Sequence, residues 1–282
     1  MKKQDSMGLK FLYRTAAGRA LLKVLSARWL SKLAGAFCDS ALSRPLIGPF
    51  IRKNGIDLSE YKTAAFSSFN DFFTREIKAE LRPICMQKDV LISPCDGLLS
   101  AYKIRQGMVF PAKQSAYTLA SLLRGPSLAE EFEGGDLLVF RLCVGHYHRY
   151  CYVDDGRKGK AVFIPGRLHT VRPIALESRA VFCENCREYT VLETENFGKL
   201  VQCEIGAMLV GKIQNHEGVH SFRKGQEKGM FLYGGSTVVL IAKKGVLALP
   251  ERYFESTRQN IETPVQYGAA IGEKMSAPIT KE

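Results

Sequence analysis

The sequence predicts an α+β fold, with membrane-facing helices at the N-terminus followed by a β-rich domain of sandwich-like or barrel-like form. The first observation is that residues 9–50 are rich in Leu, Ala, Lys and Arg, which favours helices. The second is that short apolar, β-branched runs separated by Gly, Pro and Asp follow residue 89. We therefore expect a helical region at 1–88 and a β-rich domain at 89–282.

The N-terminal region predicts a peripheral membrane contact. Between Met1 and Ala36, eight basic residues stand against the single acid Asp5, with long apolar residues and the only tryptophan, Trp29, between them. This pattern is typical of a helix that lies in the membrane interface, and no apolar run reaches the roughly 18–20 residues needed to cross a bilayer. We expect a location on the cytoplasmic face of the cell membrane. The alternatives are a helix docked on the protein core and an organelle transit peptide.

The other elements follow from residue periodicity. A second helical stretch is predicted over 57–77, where phenylalanines three and four residues apart form a core-facing stripe. A short helix is predicted over 117–123. Strands are predicted over 90–102, 136–144, 160–164, 188–192, 198–213 and 230–243.

Charge and cysteine content narrow the class of protein. The 282 residues carry a formal net charge of +12, which favours a polyanionic partner. Because no RNP-like, helix-turn-helix or basic–aromatic strand motif is found, we predict a membrane surface and no nucleic acid. The eight cysteines are expected to be free thiols. No metal site is predicted, since Cys183 and Cys186 lie too far from His216 and His220 for a zinc-finger pattern.

The stretch Gly234-Gly235-Ser236-Thr237 lies between an aromatic run and the strongly β-prone residues 238–241. A Gly-Gly pair suits a tight, strained turn. Ser236 would then stand at the mouth of a buried strand, with its hydroxyl beside the Gly235 carbonyl. Considered alone, the tetrapeptide predicts a hairpin turn.

Three further stretches carry groups suited to acid–base chemistry. Asp96 lies in a predicted turn between two strand-like runs, and His146 and His148 share one face of an extended chain. His169 follows about twenty residues later. Considered singly, Asp96 is explained as a turn former and each histidine as a satisfied core or surface group.

Together these stretches resemble the phosphatidylserine decarboxylase family, whose members are pyruvoyl-dependent enzymes made as self-cleaving proenzymes. The resemblance covers about residues 64–245. It rests on residues 69–75, 82–83, 93–97, 147–149, 164–166, 210–211, 224–229 and 234–237. The last of these is the most specific, because the family cleaves itself at the Gly-Ser-Thr.

The resemblance implies self-cleavage between Gly235 and Ser236 into a β chain, 1–235, and an α chain, 236–282, with a catalytic domain at 89–282. Ser236 would become the covalent pyruvoyl cofactor, which forms a Schiff base with phosphatidylserine. Asp96 would orient a histidine that takes the Ser236 proton, and His148 would reprotonate the substrate carbon to give phosphatidylethanolamine. The implied partners are the lipid substrate, an anionic membrane surface and a heterodimer of the two chains, with a higher homo-oligomer left open.

Two positions depart from the family pattern. His146 stands where an acidic residue is common, and Cys151 stands where a second histidine is usual. Two candidates for the cleavage base follow, His148 and His169, and our hypothesis is that His169 replaces the missing histidine. Cys151 would act only if its thiol were ionised, and nothing in the sequence favours that.

Other functions fit the sequence less well. A pyruvoyl decarboxylase of a soluble amino acid is disfavoured by the amphipathic N-terminus and by the length of the match. A non-catalytic lipid-binding relative is favoured only by the departures at His146 and Cys151. A serine hydrolase would place its nucleophile in a G-x-S-x-G turn between a strand and a helix, which Ser236 lacks.

Overall fold

The computed structural model describes residues 7–105, 118–171, 174–175, 181–207, 212–216, 218, 220–233 and 236–275. Within these residues, short helices at the N-terminus precede a β-rich domain of antiparallel sheets, which confirms the α+β prediction. None of the helices in this described part is long and apolar enough to cross a bilayer. The division of domains at residues 88 and 89 stays a prediction.

The helices in the described part of the chain are short, and five of the nine lie before residue 88. The helices are α1 (Met7–Arg14), α2 (Ala16–Leu25), α3 (Arg28–Asp39), α4 (Ile47–Asn54), α5 (Phe69–Phe73), α6 (Leu119–Leu123), α7 (Pro126–Glu130), α8 (Val181–Glu184) and α9 (Glu251–Arg258). Turns of 3₁₀ helix cover Ala41–Leu46, Leu58–Glu60 and Ala79–Leu81.

Helix caps explain why the long predicted helices are wrong in extent. Thr15 ends the first segment, because its side chain accepts a hydrogen bond from Gly18 N at 2.9 Å and caps α2. A Cβ at Gly18 would lie 2.0 Å from the Phe11 carbonyl oxygen, so only glycine lets α1 and α2 approach this closely. The predicted helix over 57–77 shrinks to α5 and a 3₁₀ turn, because Ser68 caps α5 and starts it late.

Every predicted strand range contains or overlaps a strand, and turns divide the longer ranges, but the strands at 149–151, 156–158, 221–222, 247–248, 263–265 and 270–274 were not predicted. The described residues form fifteen strands. They are β1 (Val90–Ile92), β2 (Gly97–Lys103), β3 (Asp136–Leu142), β4 (Arg149–Cys151), β5 (Gly156–Lys158), β6 (Val162–Ile164), β7 (Arg187–Thr194), β8 (Gly198–Ile205), β9 (Ile213–Asn215), β10 (Ser221–Phe222), β11 (Glu227–Phe231), β12 (Ser236–Ala242), β13 (Leu247–Ala248), β14 (Thr263–Val265) and β15 (Ala270–Lys274). The predicted strand over 90–102 is divided by the turn that carries Asp96.

Most of these strands form one large sheet in the order β10-β5-β7-β8-β12-β3-β2-β14, with β6 also paired to β7. Two smaller sheets have the orders β1-β15-β13 and β4-β11-β9. The described strands leave the large sheet open, which corrects the closed alternative in the sequence prediction. Strand β12 lies inside the sheet, antiparallel to both β3 and β8.

The two faces of the large sheet bury separate cores. Val238 and Leu240 of β12 pack on one face with Leu142 and Phe231, which we call the front face. Val239 and Ile241 pack on the opposite, rear face with residues of α1, α2 and α6. Since side chains alternate along a strand, Ser236 belongs to the front face with Val238. The predicted aromatic stripe is confirmed, because Phe66, Phe69, Phe72 and Phe73 form a buried cluster.

Candidate active site

Ser236 is the first residue of β12 and is completely buried. It lies opposite Leu142, the last residue of β3. Its Oγ has no hydrogen-bond partner among the described residues. The sequence therefore placed Ser236 correctly at the mouth of a buried strand, whereas Gly235, the other side of the predicted cleavage bond, lies outside the described residues.

His148 is buried beside the start of β4, with its ring held in one orientation. Its Nδ1 lies 2.8 Å from the His146 carbonyl oxygen. Because a carbonyl only accepts, Nδ1 carries the proton in this bond. Nε2 of the neutral ring therefore accepts a proton, and it delivers one only from the imidazolium form. The ring also packs on Phe73, with 4.1 Å between ring centroids.

Helix α5 links His148 to the segment before Ser236. The Phe73 ring that contacts His148 also packs on Tyr233, at 5.5 Å between ring centroids. The Asn70 side-chain oxygen accepts a hydrogen bond from Tyr233 N at 3.1 Å. Residues 69–73 therefore hold the His148 ring in place and also hold Tyr233, which precedes Ser236 by three residues.

Asp96 is held by an arginine and by the backbone. Arg82 donates to both carboxylate oxygens, at 2.8 and 2.7 Å, and Tyr267 N donates to Oδ1 at 2.8 Å. No hydrogen bond joins Asp96 to a histidine in the part of the chain that the structure describes. Burial lowers the pKa of His146, and the Asp96 charge opposes that shift. The role of Asp96 in orienting a histidine stays a prediction.

His169 lies against the N-terminal helices. Its Nε2 is 3.2 Å from a Glu184 carboxylate oxygen, and its Nδ1 is 3.5 Å from the Tyr13 hydroxyl. Tyr13 belongs to the rear core with Val239, whereas Ser236 faces the front core. Asn185 Nδ2 donates to the carbonyl oxygens of both His169 and Gly206, and Gly206 follows Ile205, which pairs with Thr237 at the start of β12. The role of His169 as the cleavage base stays a prediction.

Cys151, which occupies the place of the usual second histidine, is completely buried in β4. Burial raises the pKa of its thiol to about 12. The thiol is therefore protonated at neutral pH, where it has no capacity to act as a base or nucleophile.

Sequence reasoning missed a buried ion pair on the front face. Lys228 Nζ of β11 lies 2.7 Å from Glu204 Oε2 of β8 and 3.1 Å from Asn215 Oδ1, and both charged side chains are almost completely buried. Burial raises the pKa of Glu204, and the Lys228 charge opposes this shift. One sequence signal was present, because Glu204 is an acid inside the apolar strand run 200–205.

Comparison with known proteins identifies similar sequences over nearly the whole chain. A family model described as phosphatidylserine decarboxylase matches residues 69–273. The phosphatidylserine decarboxylase proenzyme 2 of Clostridium acetobutylicum is 46% identical, over 94% of this chain and 91% of that protein. The phosphatidylserine decarboxylase proenzyme of Clostridium perfringens is 40% identical, over 95% of this chain and 94% of that protein. A Clostridium botulinum proenzyme of the same name is 39% identical, over 94% and 92% of the two chains.

Proposed function

The chain belongs to the phosphatidylserine decarboxylase family, and from that premise we propose that it cleaves itself between Gly235 and Ser236 and converts Ser236 to a pyruvoyl group. Its activity is the decarboxylation of phosphatidylserine, and the relatives named as proenzymes are consistent with a precursor. The observation that carries the proposal is the Ser236 hydroxyl, which is buried and has no hydrogen-bond partner among the described residues. Buried hydroxyls are normally paired, so an unpaired one points to a chemical role.

Strand pairing is expected to hold the two cleavage products together. Residues 237–242 of β12 pair with β8 and β3 on either side. Farther along the chain, β14 pairs with β2, and β15 pairs with β1. The α chain 236–282 therefore stays bound to the β chain through strand pairing, which supports a heterodimer of the two cleavage products.

A pyruvoyl group at Ser236 fits these surroundings because it would stand at the end of a strand, where the loss of a backbone N–H breaks few ladder bonds. When formed, it supplies an electrophilic carbonyl that condenses with an amine and accepts the electrons released with CO₂. When His148 is also protonated at Nε2, as the imidazolium, it delivers that proton to the carbon that has lost CO₂, while Nδ1–H stays bonded to the His146 carbonyl oxygen. Phe73 and the buried strand ends keep bulk water away from that proton.

The N-terminal helices supply a membrane-docking surface in this proposal. Large apolar side chains are exposed along α1–α3 and the 3₁₀ turn that follows; they are Met7, Phe11, Leu21, Val24, Trp29, Leu33, Phe37, Leu42 and Leu46. A concentration of exposed apolar side chains of this kind marks an interaction surface. The surrounding lysines and arginines each add about 1 kcal/mol of attraction to an anionic membrane. We infer a peripheral location on the cytoplasmic face of the cell membrane.

Intact mass spectrometry tests the maturation step. Purified wild type is expected to give two chains that meet at Gly235 and Ser236, and the smaller chain lacks an amino terminus and gains the mass of two hydrogens with borohydride. Ser236→Ala is expected to remain one chain, whereas the matched control Ser100→Ala in β2 is cleaved like wild type. A wild-type protein that is folded and stays one chain contradicts the proposal. Release of CO₂ from phosphatidylserine vesicles, compared with free serine, separates the lipid enzyme from an amino-acid decarboxylase.

A further inference from the structure

Glu204 and Ser236 lie on the same face of two neighbouring strands. In the β8–β12 ladder Glu204 is opposite Val238, two residues along from Ser236. Val238 packs in the front core, so the side chains of Glu204 and Ser236 share that face. Diagonal neighbours of this kind have Cα atoms about 7–8 Å apart, and their Cβ atoms are somewhat closer. A glutamate side chain is long enough to approach a diagonal neighbour at this spacing.

Both residues carry a buried polar atom without a partner. Glu204 Oε1 and Ser236 Oγ have no hydrogen-bond partner within the described ranges. Such atoms are rare in folded proteins, and each one calls for an explanation. Since neither atom is the partner of the other, their diagonal placement explains both if a proton passes between them through one enclosed water.

The second oxygen of Glu204 is already occupied. Lys228 Nζ donates to Oε2 at 2.7 Å, and the Asn215 amide lies 3.3 Å from the same atom. Lys228 also donates to Asn215 Oδ1, so the carboxylate is anchored on one side. Oε1 is therefore the oxygen that is available to Ser236.

We propose that Glu204 accepts the Ser236 hydroxyl proton during self-cleavage, with Lys228 and Asn215 as positioning residues. This inference rests on the proposed self-cleavage. It supplies a base where Cys151 is a buried neutral thiol and where both ring nitrogens of His169 lie beside other side chains, Tyr13 and Glu184. Glu204 thus takes the role that the resemblance gives to the missing histidine.

The step balances without any added reagent. The proton of Ser236 Oγ passes to Glu204 Oε1, and Oγ bonds to the Gly235 carbonyl carbon. The bond from that carbon to Ser236 N then breaks, and Glu204 returns the proton to the departing nitrogen. The products are an ester and an amine, and Glu204 is again a carboxylate.

The test follows cleavage of newly made full-length chain in cell-free translation, by the appearance of the 236–282 fragment on gels. Glu204→Gln is expected to slow cleavage at least about 100-fold, which is the usual contribution of a general base. Glu188→Gln is the matched control, because Glu188 also bonds Asn215 but lies one strand farther from Ser236. It is expected to cleave within about threefold of wild type.

Glu204→Gln leaves Lys228 buried without a charged partner, so the double variant Glu204→Gln with Lys228→Met guards against misfolding. Its circular dichroism should match wild type while its cleavage stays slow. A folded variant of either kind that cleaves within threefold of wild type overturns the role of Glu204. The role is also overturned if either variant accumulates an ester that hydroxylamine splits, because the ester would then form without Glu204. Failure of wild type to cleave would instead refute the proposed function.

Discussion

Arg82 and Asp96 form a two-point ion pair, in which Nε and Nη2 donate to the two carboxylate oxygens at 2.8 and 2.7 Å. Both side chains are mostly buried. The pair joins the segment before β1 to the turn between β1 and β2, and that turn accepts a hydrogen bond from Cys151 N at 2.8 Å through the Pro94 carbonyl. Asp96 thus fixes the position of the turn beside β4.

Replacement of Arg82 by methionine is expected to lower the free energy of unfolding by about 2–4 kcal/mol, because it leaves the Asp96 carboxylate buried without its cation. Urea unfolding of the Ser236→Ala precursor measures this change on a single chain. The control is Arg258→Met, which breaks an exposed pair with Glu251 and should cost less than about 1 kcal/mol. Equal stabilities for the two variants would show that the buried pair has no structural role.

His148→Asn is expected to fold and to lose decarboxylase activity by a factor of about 10²–10⁴. The asparagine amide is able to donate to the His146 carbonyl in place of Nδ1, but it has no counterpart of Nε2. The measurement is CO₂ release from phosphatidylserine vesicles per mole of pyruvoyl group. His216→Asn, at a more exposed histidine, serves as the control and should keep wild-type activity. Activity above one tenth of wild type in His148→Asn would remove His148 as the proton donor.

The sequence predicted local features of the site better than its long-range pairs. Ser236 at a strand start follows from Gly-Gly before a β-prone run, and the buried phenylalanines follow from helical spacing. The Glu204–Lys228 pair was missed, because it joins β8 to β11 across separate sheets, and no local pattern encodes that contact. The position of His169 was equally hidden, since it depends on α1 packing across the rear face.

His146 is expected to make stability depend on pH. Burial lowers the pKa of its ring below the usual value near 6.5, while Asp96 and Glu262 raise it and Arg141 and Arg82 lower it. Because the folded pKa is the lower one, the unfolded chain binds more protons as pH falls through 6.5. The stabilisation that His146 contributes to the folded state is complete above pH 6.5, and it is lost as the pH is lowered towards the folded pKa.

Urea unfolding of the Ser236→Ala precursor should therefore show a free energy of unfolding that decreases as the pH is lowered from 7.5 to 5.5. The added substitution His146→Gln should reduce that slope. His220→Gln, at an exposed histidine, should leave the slope as it is. An unchanged slope in His146→Gln would contradict the assignment.

Cys151→Ala is expected to cleave itself at close to the wild-type rate. The thiol is buried and its pKa is raised to about 12, so it is protonated during the reaction. The cell-free time course measures the cleavage rate, and iodoacetamide labelling of the native Cys151→Ala protein and wild type checks that Cys151 does not react. Cleavage slowed more than tenfold in a folded Cys151→Ala protein would restore Cys151 as a participant.

Phe11→Ser with Trp29→Ser is expected to weaken vesicle binding at least about tenfold, because both aromatic side chains are exposed on the N-terminal helices. The measurement is cosedimentation of the Ser236→Ala precursor with vesicles rich in phosphatidylserine. Binding should also fall from 0.1 to about 0.5 M salt, as the attraction between basic side chains and lipid is screened. Ile261→Ser is the matched control, since Ile261 is equally exposed but follows α9 in the β-rich domain. Equal binding by the double variant and the control would place the membrane contact elsewhere on the protein.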